Sequence, residues 1–276
     1  MSAGEREMLE RLMRYMQPEK VLPYLRDADE TRLAAVLGAR PGAYRQVREE
    51  FASQVRETAV ELLKDEAIAE QVERLPFKPG DTIVGIGESD TADLLSWLEI
   101  LRQLLDLRRK ADGITVLNTA VSGQTTTEAL SRWAAAGGRA AWVLCKLGAN
   151  DARRAGHEGP TLVSPAETRR NLTAMRELSA PGAQWIWMTP HPVDEERIEA
   201  FAPFRHQRVS WRGDDIAAIA ASIREREEPV ADVHAAFSAD ARHDLLGQDG
   251  VHPTPAGQRV TLLTLLAALT AAPGPS

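Results

Sequence analysis

Beyond Gly80 the chain alternates between short apolar runs and longer amphipathic ones, and this alternation restricts its fold more than any other feature. Residues 82–86, 114–117, 141–145, 185–188 and 229–233 read as five strands. Residues 94–107, 126–136, 166–178, 216–226 and 255–269 carry apolar side chains at helical spacing. Strands alternating with helices imply a parallel sheet covered by helices on both faces. In such sheets ligands bind beyond the carboxyl ends of the strands. The segments directly after each strand are therefore the places to look for chemistry.

The first part of the chain differs in character. Of its first 75 residues 27 are charged, against 46 of the other 201. Leu9, Leu12, Met13 and Met16 fall at helical spacing, Pro18 and Pro23 interrupt, and Gly38, Pro41 and Gly42 interrupt again. Val47, Phe51, Val55, Ala59, Leu62 and Leu63 then form one stripe of a long helix. The stretch from Pro76 to Gly80 stops it, because proline lacks the amide donor and disfavours helix in the residue before it. The expected division is a helical extension over residues 1–78 and an α/β domain over residues 79–276.

Composition removes several classes. An apolar content of 43% excludes a fully disordered chain, and a net charge of −7 offers no electrostatic footprint for nucleic acid. The single cysteine, Cys145, cannot close an internal disulfide, which fits a reducing compartment. The acidic start lacks the basic, apolar opening of a signal peptide, and the apolar run at 260–269 is about half what a bilayer demands. The expectation is a cytoplasmic protein with no transmembrane segment.

Four post-strand segments carry candidate chemistry. After the first strand, Gly85-Ile86-Gly87-Glu88-Ser89-Asp90 begins like a dinucleotide fingerprint, but Asp90 replaces its third glycine. The Gly-x-Ser-x-Gly elbow also fails, because Thr91 replaces its last glycine. What is left is Ser89 on a tight turn, either a helix cap or a nucleophile near amide donors. After the second strand, Gly123 lets backbone approach a ligand closely, or serves as an ordinary turn residue. After the third, Asn150 offers an uncharged amide suited to an oxyanion, or a turn. Near the end, Asp249 stands three residues before His252, close enough to fix its tautomer, or both lie on an exposed turn. Taken singly each has an ordinary reading. Together they supply a nucleophile, a base with its orienting acid, and two oxyanion donors.

These residues resemble the four motif blocks of the SGNH (GDSL-type) hydrolase family. Gly87-Glu88-Ser89, residues 121–125 around Gly123, Gly148-Ala149-Asn150-Asp151 and Asp249-Gly250-Val251-His252-Pro253 are similar to blocks one to four, and the resemblance runs from residue 82 to about 269. It implies an α/β fold, a flavodoxin-like three-layer αβα sandwich on a parallel sheet. It also implies a serine esterase that needs neither metal nor cofactor and works through an acyl-enzyme. Ser89 would attack, His252 would take its proton and Asp249 would orient the imidazole. The Ser89 and Gly123 N–H groups and the Asn150 amide would hold the oxyanion. The implied substrate is a short-chain or O-acetyl ester of a small molecule, carbohydrate or lipid. An acyltransferase, a thioesterase or a non-catalytic binding domain on the same fold are the alternatives.

The first block departs from the usual Gly-Asp-Ser followed by an apolar residue. Glu88 adds a methylene, and Asp90 places a negative charge beside the nucleophile, expected to repel acidic substrates or lower activity. The helical extension falls outside the resemblance. It either caps the site and limits acyl size, or packs on the domain's side or on a second copy in a homo-oligomer. His191 is read as a structural loop histidine or a residue lining the pocket, and Cys145 as a buried, inert thiol. His157, His206, His234 and His243 show no metal-site spacing. Trp185 and Trp187 read as packing residues, and Phe201, Phe204 and Trp211 as an acyl pocket, a lid or plain packing.

Overall fold

The structure, a computed structural model, describes residues 2–136, 140–240 and 244–271. Its helical extension begins with α1 (Ala3–Tyr15), where the Ser2 hydroxyl accepts from the Glu5 amide and the Glu5 carboxylate returns a bond to the Ser2 amide. The chain continues through α2 (Pro18–Val21), α3 (Glu30–Val36), α4 (Pro41–Leu62) and α5 (Glu66–Glu73). Asp29 and Asp65 cap α3 and α5 with their side chains. Along α4, Tyr44, Val47 and Phe51 join Leu9, Met13, Leu33 and Ala34 in a small core. Farther along the same face, Val55, Ala59 and Leu62 enter the main core. One helix thus belongs to both. The sequence stripe had suggested continuity to Leu63 and beyond, but the Asp65 cap starts a separate helix there.

The α/β part runs β1 (Thr82–Gly87), α6 (Ser89–Ala92), α7 (Trp97–Arg108), β2 (Thr115–Asn118), α8 (Thr126–Ala136), β3 (Trp142–Lys146), β4 (Arg154–Ala155), α9 (Pro165–Glu177) and β5 (Gln184–Met188). It continues through α10 (Glu195–Ala200), α11 (Ala202–Gln207), β6 (Val209–Ser210), α12 (Gly213–Arg224), β7 (Val230–Ala231), α13 (Val233–Ala239) and α14 (Pro255–Ala271). Five strands form one parallel sheet in the order β2-β1-β3-β5-β7, the flavodoxin-like winding, and β4 pairs antiparallel with β6 in a separate two-stranded sheet. Side chains alternate between the two faces. Ile83, Leu144, Ile186 and Met188 pack with α4, α7 and α14, while Val84, Val143, Cys145, Trp185 and Trp187 pack with α8, α9 and α12. Three layers result.

Boundaries differ from the sequence pattern where a side chain caps a helix. The strand expected over 229–233 is only β7, because Asp232 turns to accept the Ala235 amide and opens α13. The helix expected from residue 94 starts at Trp97, after the Ser96 cap. Among the described residues no helix is long and apolar enough to cross a membrane. Leu101 lies fully buried in the main core, on α7. Leu101→Ala is expected to cost about 3 kcal/mol, read as a lower urea midpoint at unchanged slope.

Candidate active site

The carboxyl ends of β1 and β3, the loop after β2 and the turn before α14 meet at one edge of the sheet. At β1 the backbone folds back so tightly that a Cβ on Gly87 would lie 2.3 Å from the Thr91 hydroxyl oxygen. Only glycine fits there. Ser89 opens α6, so its N–H has no intrahelical acceptor. Its Oγ lies 2.9 Å from His252 Nε2. On the other side of the ring, His252 Nδ1 lies 2.7 Å from Asp249 Oδ2. An ionised carboxylate only accepts, so Nδ1 carries the proton and the Nε2 lone pair faces the serine hydroxyl. Asp249 Oδ1 also accepts the Val251 and His252 amides, each at 2.9 Å. Burial raises the Asp249 pKa, but these bonds and the neighbouring imidazole outweigh it and bring it to about 2.

The other two segments are fastened to β1. The loop after β2 runs along it, with Thr119 N donating to Gly85 O at 2.9 Å and Val121 N to Gly87 O at 3.2 Å. It then turns, Gln124 N donating to Val121 O at 3.3 Å, with Gly123 at φ +80° in the position that requires it. The Gly123 N–H has no hydrogen-bond partner among the described residues. In the third segment, Glu88 Oε1 accepts Ala149 N at 2.9 Å, and Oε2 accepts both Asn150 N and Asn150 Nδ2 at 2.8 Å. Burial and the Asp90 charge push Glu88 above the ordinary carboxylate range, while these donors pull it down. Asp151 accepts from Thr126 N at 2.7 Å, Thr126 Oγ1 at 2.5 Å and Thr168 Oγ1 at 2.6 Å, tying the loop to α8 and α9. Trp211 Nε1 donates to Ala149 O at 2.8 Å.

The model of the GDSL-like lipase/acylhydrolase family matches residues 79–260, about two thirds of the chain. The chain belongs to this family. Its members are lipases and acylhydrolases, so the protein is placed among ester-hydrolysing enzymes. No curated protein matches the chain. Solved structures do. A catalytic mutant of Axe2, an acetylxylan esterase from Geobacillus stearothermophilus, aligns with a TM-score of 0.54 at 21% identity, covering 70% of this chain and 96% of its own. LAE5, an alpha/beta hydrolase enzyme from the metagenome of Lake Arreo, Spain, aligns with a TM-score of 0.50 at 22% identity, covering 71% of this chain and 97% of its own. At such identity the likeness is one of fold.

Within the GDSL-like frame the unusual first block works differently from the sequence expectation. Asp90 does not place a charge before the substrate. Its side chain is buried and paired with the Lys146 ammonium at the end of β3, and Lys146 brings its pKa down against the upward push of burial. Lys146 went unnoticed in the sequence, although a lysine closing an apolar strand covered on both faces needs a carboxylate partner. His191 is likewise buried and bonded, as a structural histidine is. Phe204 and Trp211 are packed in the second core, and Phe201 lies against it. Cys145 is buried, and burial raises its thiol pKa. Among the described residues no three metal-binding side chains cluster, and His243 lies outside those residues.

The helical extension reaches this edge. The Tyr15 ring packs against the His252 imidazole, tilted by 41° with centroids 4.7 Å apart. Next to it, Arg14 clamps the buried Asp93 through Nε at 3.0 Å and Nη2 at 2.6 Å. Lys20 Nζ donates to Ala120 O at 3.1 Å, and burial lowers its pKa to about 8. The sequence pattern missed Tyr15 because it lies off the apolar stripe of α1, and nothing local signals a partner at the other end of the chain.

Two outcomes follow from this geometry. The folded pKa of Asp249 lies below its ordinary 3.8, so its charge stabilises the fold above about pH 4 and that contribution fades as pH falls toward 2. The melting-temperature gap between the native protein and Asp249→Asn, worth roughly 2 kcal/mol at neutral pH, is expected to close as pH is lowered from 6 to 2. Gly87→Ala is expected to lose about 1–3 kcal/mol in urea unfolding, from the clash with Thr91.

Proposed function

We propose that the protein is a serine carboxylesterase with Ser89 as nucleophile, His252 as general base and Asp249 as its orienting acid. The observation that carries this reading is the hydrogen-bond chain from Ser89 Oγ through His252 to Asp249. As Ser89 Oγ attacks the acyl carbonyl, its proton passes to His252 Nε2. The tetrahedral oxyanion is held by the N–H groups of Ser89 and Gly123 and by the second Nδ2 proton of Asn150, the first being engaged by Glu88. His252 then protonates the departing alcohol, and a water it deprotonates releases the acid from the acyl-enzyme. No cofactor or metal enters these steps.

In this reading residues 79–276 form the catalytic unit and residues 1–78 a cap. Tyr15 closes one side of the base, which supports small acyl groups such as acetyl on a carbohydrate or other small alcohol. The acetylxylan esterase among the similar structures agrees with that choice.

The test pairs a fluorophosphonate probe with p-nitrophenyl esters from acetate to octanoate. Expected are one adduct on Ser89, hydrolysis fastest with acetate, and at least a roughly thousandfold loss of kcat in Ser89→Ala. A folded sample that takes no adduct and turns over no ester would sink the proposal. Tyr15→Ala is expected to raise kcat/KM for octanoate relative to acetate by about tenfold, with Tyr15→Phe near the native ratio.

A further inference from the structure

Three ionisable side chains lie buried behind the Ser89–His252 pair and take no part in the proton transfers proposed for it. Asp90, Lys146 and His191 are 4%, 1% and 4% exposed. Lys146 Nζ is paired with Asp90 Oδ2 and lies 3.1 Å from His191 Nδ1, and His191 Nε2 lies 2.7 Å from the Val251 carbonyl oxygen. An ammonium only donates and a carbonyl only accepts, so one tautomer satisfies both ends: His191 is protonated on Nε2 and bare on Nδ1. Burial and the Lys146 charge hold the ring neutral, at about 4, which agrees with that tautomer. The ring is stacked on Phe237 at 5.1 Å, which fixes its plane. At the other end, Gln258 of α14 donates to Asp90 O at 2.9 Å and accepts Trp97 N at 2.9 Å.

The two ends of this chain are the informative part. It starts one residue after Ser89 and finishes one residue before His252. Those residues are 163 positions apart in sequence, and their direct connection is a single hydrogen bond. The buried path adds a connection beside it and closes a ring of bonds between the two turns. Three buried ionisable groups are a costly way to fill a core, since an apolar set of similar volume is often neutral or stabilising by comparison. Their placement accounts for their presence.

We propose that Asp90, Lys146 and His191 are positioning residues, a buried tether that sets the distance between Ser89 Oγ and His252 Nε2. The proposal rests on the reading of these two as nucleophile and base. Lysine suits the middle place because its compact ammonium can donate to the carboxylate and to the imidazole together. His191→Leu cuts the path to Val251. In His191→Gln an amide can still donate to that carbonyl while accepting from Lys146.

The experiment compares His191→Leu, His191→Gln and Lys146→Met with the native protein in three readouts. In p-nitrophenyl acetate hydrolysis, His191→Leu and Lys146→Met are expected to lose about ten- to a hundredfold in kcat with KM within about threefold, since small misplacements of reacting groups cost that much. His191→Gln is expected to recover kcat to within about threefold of native. Deuterium exchange over residues 247–254 is expected to quicken in His191→Leu and not in His191→Gln. In the native protein, nitrogen NMR at neutral pH is expected to find His191 protonated on Nε2 alone.

Native kcat in both severed variants, equal losses in His191→Leu and His191→Gln, or a proton on Nδ1 would each overturn the tether. If the native protein proves to lack ester turnover, the exchange and tautomer readouts still decide whether these residues hold the His252 turn. Failure of the enzyme reading is thereby separated from failure of the tether. Should His191→Leu not fold, the tautomer measurement on the native chain stands by itself.

Discussion

Two carboxylates flank Ser89, and the site depends on where each one goes. Glu88 reaches across to the loop after β3 and accepts three N–H donors from Ala149 and Asn150. Asp90 turns inward to Lys146. Both are buried, and a buried carboxylate without donors or a cation is costly. Each therefore constrains the segment that supplies its partners. The turn at Ser89 fastens the loop after β3 with one hand and the interior of the sheet with the other.

The sheet makes this economical. Parallel strands bring all their carboxyl ends to one edge, so residues from β1, β3 and the loop after β2 converge without long detours. Register does the rest: Gly87 pairs with Lys146 across β1 and β3, which sets the ammonium beside the turn where Asp90 begins. Beneath it, two apolar cores clamp the sheet from either face, with Trp133, Trp185 and Trp187 filling one of them. Stiff support matters here because the polar contacts above have short reach. A hydrogen bond lengthened by half an ångström has lost much of its value.

Much of this was legible beforehand. The alternation beyond Gly80 gave a parallel sheet covered on both faces, because strands and helices announce themselves through side-chain periodicity, which is local; its flavodoxin-like winding came only with the family resemblance. The four motif blocks were visible for the same reason: each packs its chemistry into a few neighbouring residues, as Asp249 and His252 do within one turn. What escaped was the set of partners. Lys146 resembles a strand terminus until Asp90 is placed beside it, and so the Asp90 charge was assigned to the substrate side. Tyr15 carries no mark of its contact with His252. Capping side chains such as Asp232 and Ser96 shifted element ends by a few residues, since a cap competes with the pattern through one hydrogen bond and leaves hydropathy unchanged.

The contact of Tyr15 with His252 joins residues 237 positions apart in sequence. During synthesis the aromatic ring emerges 237 residues before its imidazole. The segment made first must therefore wait, without its companion, until the turn around residue 252 has been made. Their contact is thereby deferred, and a partly translated chain holds Ser89 while still lacking His252 and the turn that carries it.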